Sequence, residues 1–373
     1  MTTSAQQTSR DSAPPAAPRN PAYPVSVLEL GGRLPETPAE QAVQDMAASA
    51  RTADVCGYHR LWVAEHHSST KTASSFPAVL IAHLAAQTRR VRLGSGGVML
   101  PNHAPFSVAE QFATLQALHP GRIDLGLGRS SGGGVGTHKL LAEALRRSPT
   151  AISEFPALID ELLGFLHHRG PDGNRFHDLP LTPHTATPPQ VHVLGAGENS
   201  ARIAAERGLP FAYGHHLGRS KCRPEAAARY RSAFRPGPDG ARPYLIVSVN
   251  VICGENDEEA EELAVRTATT RVLHPEEPVE TGTPSPVRRQ YLARKALEDL
   301  QVVYGGPATV AARLDALAAE LDADEIMVVP YELSGPERLR TLRLAATALT
   351  TAERAGAAPR PRSSGTLAGT ARV

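Results

Sequence analysis

The sequence is poor in cysteine and in net charge, and each shortage excludes a class of protein. Its three cysteines, Cys56, Cys222 and Cys253, lie far apart, and no CxxC or CxxH spacing occurs. This excludes a disulfide framework and a thiolate zinc site, and it favours a reducing cytoplasm. The 39 Lys and Arg residues almost balance the 38 Asp and Glu residues, which leaves a net charge of +1. Such a balance lacks the strongly basic surface expected of a nucleic-acid-binding protein.

Long apolar runs are also lacking. No stretch approaches ~18 consecutive apolar residues, so no membrane span is expected. Residues 1–23 and 356–373 are rich in Ser, Thr, Ala and Pro, and we expect both to be disordered tails. The first tail has no apolar segment typical of a signal peptide. The remaining body, residues 24–355, is long enough for two ordinary domains or for one large α/β barrel.

The body alternates short β-branched runs with longer amphipathic runs. This alternation predicts a parallel sheet with helical crossovers. Eight units fit a (β/α)8 barrel, and the alternative is an open doubly wound sheet. Long connections follow the fourth strand (129–190) and the seventh strand (255–324), where a barrel carries its active site. The eight predicted strands are Val25–Leu30, Arg60–Glu65, Val91–Gly97, Arg122–Gly128, Val191–Gly195, Leu209–Gly214, Tyr244–Gly254 and Glu325–Pro330.

Polar residues and glycines collect where the predicted strands end. In a barrel these ends share one face, so the clustering indicates an enzyme active site. Glu65, His66 and His67 follow the second strand, and a metal site there is disfavoured because neighbouring residues of an extended segment point to opposite sides. A histidine acting as an acid, a base or a hydrogen-bond donor is the favoured alternative, and purely structural histidines are the other.

The turn after the fifth strand resembles GxGxxG, with Gly195, Gly197 and Ser200 at the three key positions. It follows a strand and opens a helix, so its backbone N–H groups could hold a phosphate. No acidic residue lies about 20 residues further on, which disfavours a dinucleotide site. Arg129, after the fourth strand, could bind the same phosphate through two parallel hydrogen bonds. The alternatives are a tight turn for the glycines and a surface salt bridge for Arg129.

The motifs together resemble the bacterial luciferase-like flavin-dependent monooxygenase family. The resemblance rests on LWVAEHH (61–67), GSGGVMLPNHAP (94–105), GRIDLGLGR (121–129), LGAGENSA (194–201) with GLPFA (208–212), and GPATV (306–310) with DEIMV (324–328). It covers residues 25–349 and implies a TIM barrel that binds reduced flavin at its C-terminal face. The EHH sequence resembles the FMN branch of alkanal monooxygenases. The alternative is an F420-dependent dehydrogenase or reductase on the same barrel.

The resemblance also implies roles for individual residues. His66 matches the active-site histidine beside the flavin ring, and Gly96–Gly97 matches the place where the family has a non-proline cis peptide under the ring. Glu65, His67 and Gly195 are expected around the cofactor, and Arg129, Gly197, Asn199 and Ser200 around its phosphate. His103, His215 and His216 are expected to border the substrate.

The implied reaction uses reduced FMN and O2, through a C4a-hydroperoxyflavin, to oxidise a small organic substrate without a metal. No second nucleotide motif is apparent, so a separate reductase is expected to supply the reduced flavin. The helix predicted over Pro77–Arg89 is apolar around much of its surface, so part of it needs a cover besides the barrel. The resemblance implies a homodimer, because family members pack similar helices in a dimer. The family also contains non-enzymatic flavin-binding subunits, but the presence of His66 favours an enzyme.

Overall fold

The computed structural model describes residues 23–130, 138–167, 179–237, 241–273 and 284–349. Almost all of the two expected tails, and parts of both long connections, lie outside these residues. Among the described residues, no helix combines the length and the apolar composition that are needed to cross a membrane.

Eight parallel strands form a closed barrel, which confirms the predicted fold and overturns the open-sheet alternative. The closure is made by β10, which pairs with β1 on one side and with β8 on the other. The remaining neighbours pair in the order β1, β2, β3, β5, β6, β7 and β8. The barrel strands are β1 (Val25–Glu29), β2 (Arg60–Val63), β3 (Arg92–Ser95), β5 (Ile123–Gly128), β6 (Gln190–Gly195), β7 (Phe211–Tyr213), β8 (Leu245–Cys253) and β10 (Glu325–Pro330).

Two short strands lie beside the barrel and were not predicted. The strand β4 (Val98–Met99) pairs with the end of β5, and β9 (Val303–Gly305) pairs with the end of β8. The helical pattern of residues 287–304 predicted one helix there, but the helix ends at Asp299. The structure then places Gln301 at a positive φ of 53° before β9 begins.

The helices cover the outside of the barrel. They are α1 (Ala39–Cys56), α2 (Pro77–Ala86), α3 (Pro105–Leu118), α4 (His138–Ala144), α5 (Phe155–His167), α6 (Glu198–Glu206), α7 (Glu225–Ala233), α8 (Asp257–Leu273), α9 (Pro286–Asp299), α10 (Pro307–Leu321) and α11 (Gly335–Leu349). The long connection after β5 contains α4 and α5, and the one after β8 contains α8 and α9. Each is therefore partly helical in the described residues.

Side chains alternate between the helix layer and the barrel interior, as the pleat of a strand requires. On β2, for example, Leu61 and Val63 pack in the layer under the helices. Trp62, between them, is fully buried in the interior with Leu28 and Met327. The indole leaves no space beside it, because a Cβ added at Gly94 would lie 2.7 Å from Trp62 Cδ1. Glycine at this position lets the single tryptophan fill the barrel.

A buried charge network closes the N-terminal end of the barrel. Arg60 Nη1 lies 2.7 Å from Asp124 Oδ2, and Arg60 Nε lies 2.8 Å from Glu325 Oε1. Tyr244 donates its hydroxyl to Glu325 Oε2 at 2.8 Å, and Arg92 pairs with Asp124. Burial raises the pKa of Asp124, but Arg60 and Arg92 outweigh that effect and hold the pKa well below its usual range. This end is therefore filled by paired charges.

Candidate active site

A glycine ledge lies at the C-terminal end of β3. The Gly96–Gly97 peptide bond is cis, at the position that the sequence resemblance indicated. A Cβ added at Gly96 would lie 2.5 Å from Leu28 Cδ1, and one added at Gly97 would lie 2.7 Å from the Gly126 carbonyl oxygen. The barrel below therefore leaves no space for side chains at these two positions. Backbone alone forms the ledge, and a planar ring can lie against backbone without meeting a Cβ.

Glu65 ties the end of β2 to the chain that follows the ledge. Its Oε1 accepts hydrogen bonds from His67 Nε2 and His103 Nε2, each at 2.8 Å. Its Oε2 accepts the Met99 N–H at 3.1 Å. We call Glu65, His67 and His103 the Glu65 clamp. Because Met99 and His103 both follow Gly96–Gly97 in the chain, the clamp holds the segment after the ledge against the end of β2.

The Glu65 carboxylate is fully buried and stays ionised. Burial raises its pKa, but the hydrogen bonds from His103 and His67 act in the opposite direction and lower the pKa to about 2. An ionised carboxylate only accepts hydrogen bonds, so both histidines donate from Nε2. The structure therefore uses His67 and His103, expected beside flavin and substrate respectively, to hold Glu65.

The three side chains of the Glu65 clamp also have the composition of a metal site. Their ligand atoms all lie within 4.8 Å of one another. In the arrangement found here, both Nε2 atoms carry hydrogens that point at Glu65, so neither offers a lone pair to an ion. The hydrogen-bonded clamp accounts for the cluster, and the absence of a metal stays a prediction.

His66 lies between the two clamp residues of its own segment. Its backbone N–H donates to the Ser74 carbonyl oxygen at 2.8 Å, and its side chain is partly buried. The charge of His66 contributes to lowering the pKa of His216, which follows β7 on the opposite side of the barrel. His66 therefore lies near enough to His216 for their charges to interact, whereas the flanking Glu65 and His67 bond one another in the clamp.

His215 and His216 form a short 3-10 turn after β7, which spans His215–Leu217. His216 Nδ1 lies 2.7 Å from Ser248 Oγ, and Asn250 Nδ2 donates to the His216 carbonyl oxygen at 2.8 Å. His215 Nδ1 is buried without a hydrogen-bond partner among the described residues. The sequence indicated both histidines but gave no sign of their contacts with β8.

The predicted phosphate loop lies at the same level as Arg129. Leu127 is in register with Val193, so Arg129 comes level with Gly195 on the neighbouring strand. The helix α6 begins after Gly197, and no side chain caps its first N–H groups. Ser200 is buried, and its hydroxyl takes up the space that a Cβ on Gly195 would occupy. The N-terminus of α6, the buried hydroxyl of Ser200 and Arg129 thus lie at one level of the barrel mouth.

Two other polar residues near this loop, Asn199 and Arg223, make different kinds of contact. The amide of Asn199 is exposed, and its Oδ1 accepts from Arg202 at 3.2 Å, which points it along α6. Arg223, which sequence reasoning missed, donates its backbone N–H to the Ala196 carbonyl oxygen at 2.9 Å. This contact holds the segment after β7 against the phosphate loop. Arg129 is exposed, and its guanidinium bonds no described residue.

Comparison with known proteins identifies the family. The sequence profile described as luciferase-like monooxygenase matches residues 25–325. The chain is 38% identical over 333 residues to a luciferase-like monooxygenase of Escherichia coli (strain K12), a match that covers 86% of this chain and 95% of the relative. This chain belongs to the luciferase-like monooxygenase family. Its membership makes it an oxidoreductase.

A second relative in the family is an N-acetyl-S-alkylcysteine monooxygenase of Bacillus subtilis (strain 168). It is 36% identical over 237 residues, which cover 63% of this chain and 69% of the relative. Among solved structures, apo-MsnO8 is similar with a TM-score of 0.72 and 32% identity, covering 87% of this chain and 98% of its own.

Two more distant structures show that the fold accommodates two kinds of flavin. One is the oxygenating constituent of 3,6-diketocamphane monooxygenase from Pseudomonas putida in complex with FMN, with a TM-score of 0.64, 19% identity, and 87% and 97% coverage. The other is an F420-dependent secondary alcohol dehydrogenase, with a TM-score of 0.62, 11% identity, and 87% and 99% coverage. At these identities the likeness concerns the fold alone.

Proposed function

We propose that this luciferase-like monooxygenase uses reduced FMN and O2 to oxidise a small organic substrate. The observation that carries the proposal is the glycine ledge between His66 and the phosphate loop. The ledge offers bare backbone to a planar ring, and the loop with Arg129 offers donors to a phosphate at the same mouth. FMN combines these two groups. The Glu65-His66-His67 sequence favours FMN over F420, because F420 members more often have an Asp-His pair there.

Each residue would have a defined part in holding the cofactor. Gly96 and Gly97 would support the ring, and Gly197, Ser200 and Arg129 would bind the phosphate. The bound reduced flavin would supply the electrons for activating O2. Asn199, with its amide turned to Arg202, would contribute mainly its backbone N–H. Glu65 and His67 would support the site through the clamp rather than touch the ring.

His66 would hold or move a proton at its ring nitrogens. A histidine suits this part because its ordinary pKa lies near neutrality. The Glu65 clamp fixes the residues on both sides of it, which limits the positions that the imidazole can take. Protons can then be placed at one side of the ledge without a metal ion. His103 would act through Glu65, and His215 and His216 would border the substrate from the opposite side of the mouth.

Anaerobic titration tests the choice of cofactor. The apoprotein is titrated with reduced FMN and, separately, with reduced F420, and binding is followed by the change in flavin absorbance. We expect saturable binding of reduced FMN and weak or no binding of reduced F420. Tight binding of F420 with none of FMN would reverse the choice and favour a dehydrogenase or reductase. Incorporation of ¹⁸O from ¹⁸O2 into a substrate identified by screening would then test the oxygenation itself.

We further propose that a separate reductase supplies the reduced flavin and that the protein works as a cytoplasmic homodimer. The three cysteines are all free, which suits a reducing compartment. On α2, Ile81 and Leu84 are buried, whereas Val79 is 71% exposed and the preceding Phe76 is 52% exposed. A second copy could cover this face. Sedimentation at micromolar concentration should show a dimer, and a monomer would contradict this part of the proposal.

A further inference from the structure

His216 makes contacts with β8 that determine where its proton lies. Ser248 Oγ lies 2.7 Å from His216 Nδ1 and 3.1 Å from the carbonyl oxygen of Tyr213. Ser248 is buried, so these two groups compete for the single hydroxyl proton. A carbonyl oxygen can only accept a hydrogen bond, whereas a neutral imidazole can donate from one nitrogen and accept at the other.

One placement of hydrogens satisfies both contacts. Ser248 donates its proton to the Tyr213 carbonyl oxygen and accepts the Nδ1–H of His216. In the reverse arrangement, with Ser248 donating to Nδ1, two oxygen acceptors would face each other at 3.1 Å with no hydrogen between them. A neutral His216 must then carry its proton on Nδ1, and its Nε2 is an unprotonated acceptor.

The surroundings keep His216 neutral and leave Nε2 available. Burial first, and then the nearby charges of His215, His66 and Lys221, lower the pKa of His216 to about 3. None of the described residues hydrogen-bonds Nε2. This atom is not one of the buried polar atoms that lack a partner, so it is accessible from outside the protein. Asn250 donates to the backbone carbonyl of His216 and to that of Leu300, which fixes the turn on β8.

We propose that His216 presents an unprotonated Nε2 to the barrel mouth, where it accepts a hydrogen bond from an O–H or N–H group of the substrate. This inference rests on the proposed function in one respect, namely that the substrate binds at this mouth. It adds the chemical class: an alcohol, phenol, amine or amide donor on the side of the ledge opposite His66. A carboxylate or another acceptor at this position would face a lone pair and is disfavoured.

The tautomer is measured directly by ¹⁵N–¹H correlation spectroscopy of the imidazole in protein labelled at histidine, without flavin. The His216→Asn spectrum assigns the signals. We expect a protonated Nδ1 and an unprotonated Nε2 near neutral pH. In Ser248→Ala, the hydrogen bond that holds the proton on Nδ1 is lost, and a population with a protonated Nε2 should appear. A protonated Nε2 in the native protein, or an unchanged tautomer in Ser248→Ala, would overturn the assignment.

The acceptor role is tested with phenol and anisole, which have similar shapes but differ in one donor hydrogen. Phenol should shift the Nε2 resonance of His216 in a saturable way, and anisole should have at least a tenfold weaker effect. His216→Gln keeps an amide group near the position of Nε2, whereas His216→Asn keeps a group near Nδ1 only. Measured in both variants as the ratio of the phenol and anisole dissociation constants, the preference for phenol should therefore survive better in His216→Gln. Equal shifts with both probes, or none with either, would overturn the acceptor role.

These outcomes are separable from those of the proposed function. The spectra need no cofactor, so failure of reduced FMN to bind would leave the tautomer assignment standing. Conversely, FMN binding together with a protonated Nε2 would refute only the assignment at His216.

Discussion

The two ends of the barrel are built from different kinds of residue and have different properties. At the N-terminal end, Arg60, Asp124 and Glu325 are buried and paired with one another. At the C-terminal end, the ledge carries only glycine, the first N–H groups of α6 have no side-chain cap, and none of the described residues bonds His216 Nε2. The first end is closed by its own side chains, whereas the second offers donors and acceptors to a ligand. Substitutions at the N-terminal end should therefore change stability, and substitutions at the C-terminal end should change ligand binding and turnover.

The largest expected effect is on stability, at the closed end. Asp124→Ala removes the partner of Arg60 and Arg92 and the acceptor of the Trp62 N–H, 3.1 Å away. Breaking a buried ion pair from one side costs about 3–5 kcal/mol, because a buried charge loses compensation. Here Arg92 loses its carboxylate partner and Arg60 keeps only Glu325. We expect urea unfolding to show a loss of this size.

The matched control for Asp124→Ala is an exposed ion pair. Glu261 pairs with Arg294 at 2.9 Å, and both side chains are about half exposed, at 47% and 51%. Glu261→Ala should change the free energy of unfolding by less than about 1 kcal/mol. Equal losses in the two variants would show that the closed end is not held by its buried charges.

The second effect is on catalysis, at the open end. His66→Ala removes the imidazole that is proposed to hold or move a proton, and we expect turnover with reduced FMN to fall by roughly 100-fold or more. The free energy of unfolding should change little, since the ring is only partly buried. The measurement is oxygenated product formed per reduced FMN consumed. Unchanged turnover would remove His66 from the catalytic account.

Much of this contrast was predictable from the sequence. Strands buried on both faces appear as continuous β-branched runs, so all eight barrel strands were located, and polar residues at their ends indicated the mouth. The strand β9 was missed because its three residues continue the helical pattern of 287–304. The Glu65 clamp was also missed, because the bond between His103 and Glu65 joins residues 38 positions apart, and only the fold brings them together. The Nδ1 contact of His216 with Ser248 likewise depends on strand register.

A smaller effect distinguishes binding of the FMN phosphate from binding of the flavin ring. Arg129→Ala should weaken FMN binding by roughly tenfold to a hundredfold, because one charge-assisted hydrogen bond contributes about 1.5–3 kcal/mol. Riboflavin, which lacks the phosphate, should bind the variant and the native protein equally. Arg294→Ala is the control, because Arg294 is an exposed residue of α9 that pairs with Glu261. If riboflavin and FMN lost affinity alike, Arg129 would not be a phosphate ligand.

A further effect is a pH dependence of stability at Glu65, the carboxylate of the clamp. Its pKa is lowered from 4.5 to about 2 in the folded protein. The stabilisation should therefore be complete above about pH 5 and should be lost as the pH falls towards 2. In acid titrations of urea unfolding, the difference between native protein and Glu65→Gln should shrink over this interval. A difference independent of pH would mean that the carboxylate charge does not stabilise the clamp.

A crystal structure of the protein soaked with FMN tests most directly what occupies the open end of the barrel. We predict that the ring lies against Gly96–Gly97 beside His66, with the phosphate bound by Gly197, Ser200 and Arg129. A flavin bound elsewhere, or a phosphate that makes no contact with this loop, would contradict the account.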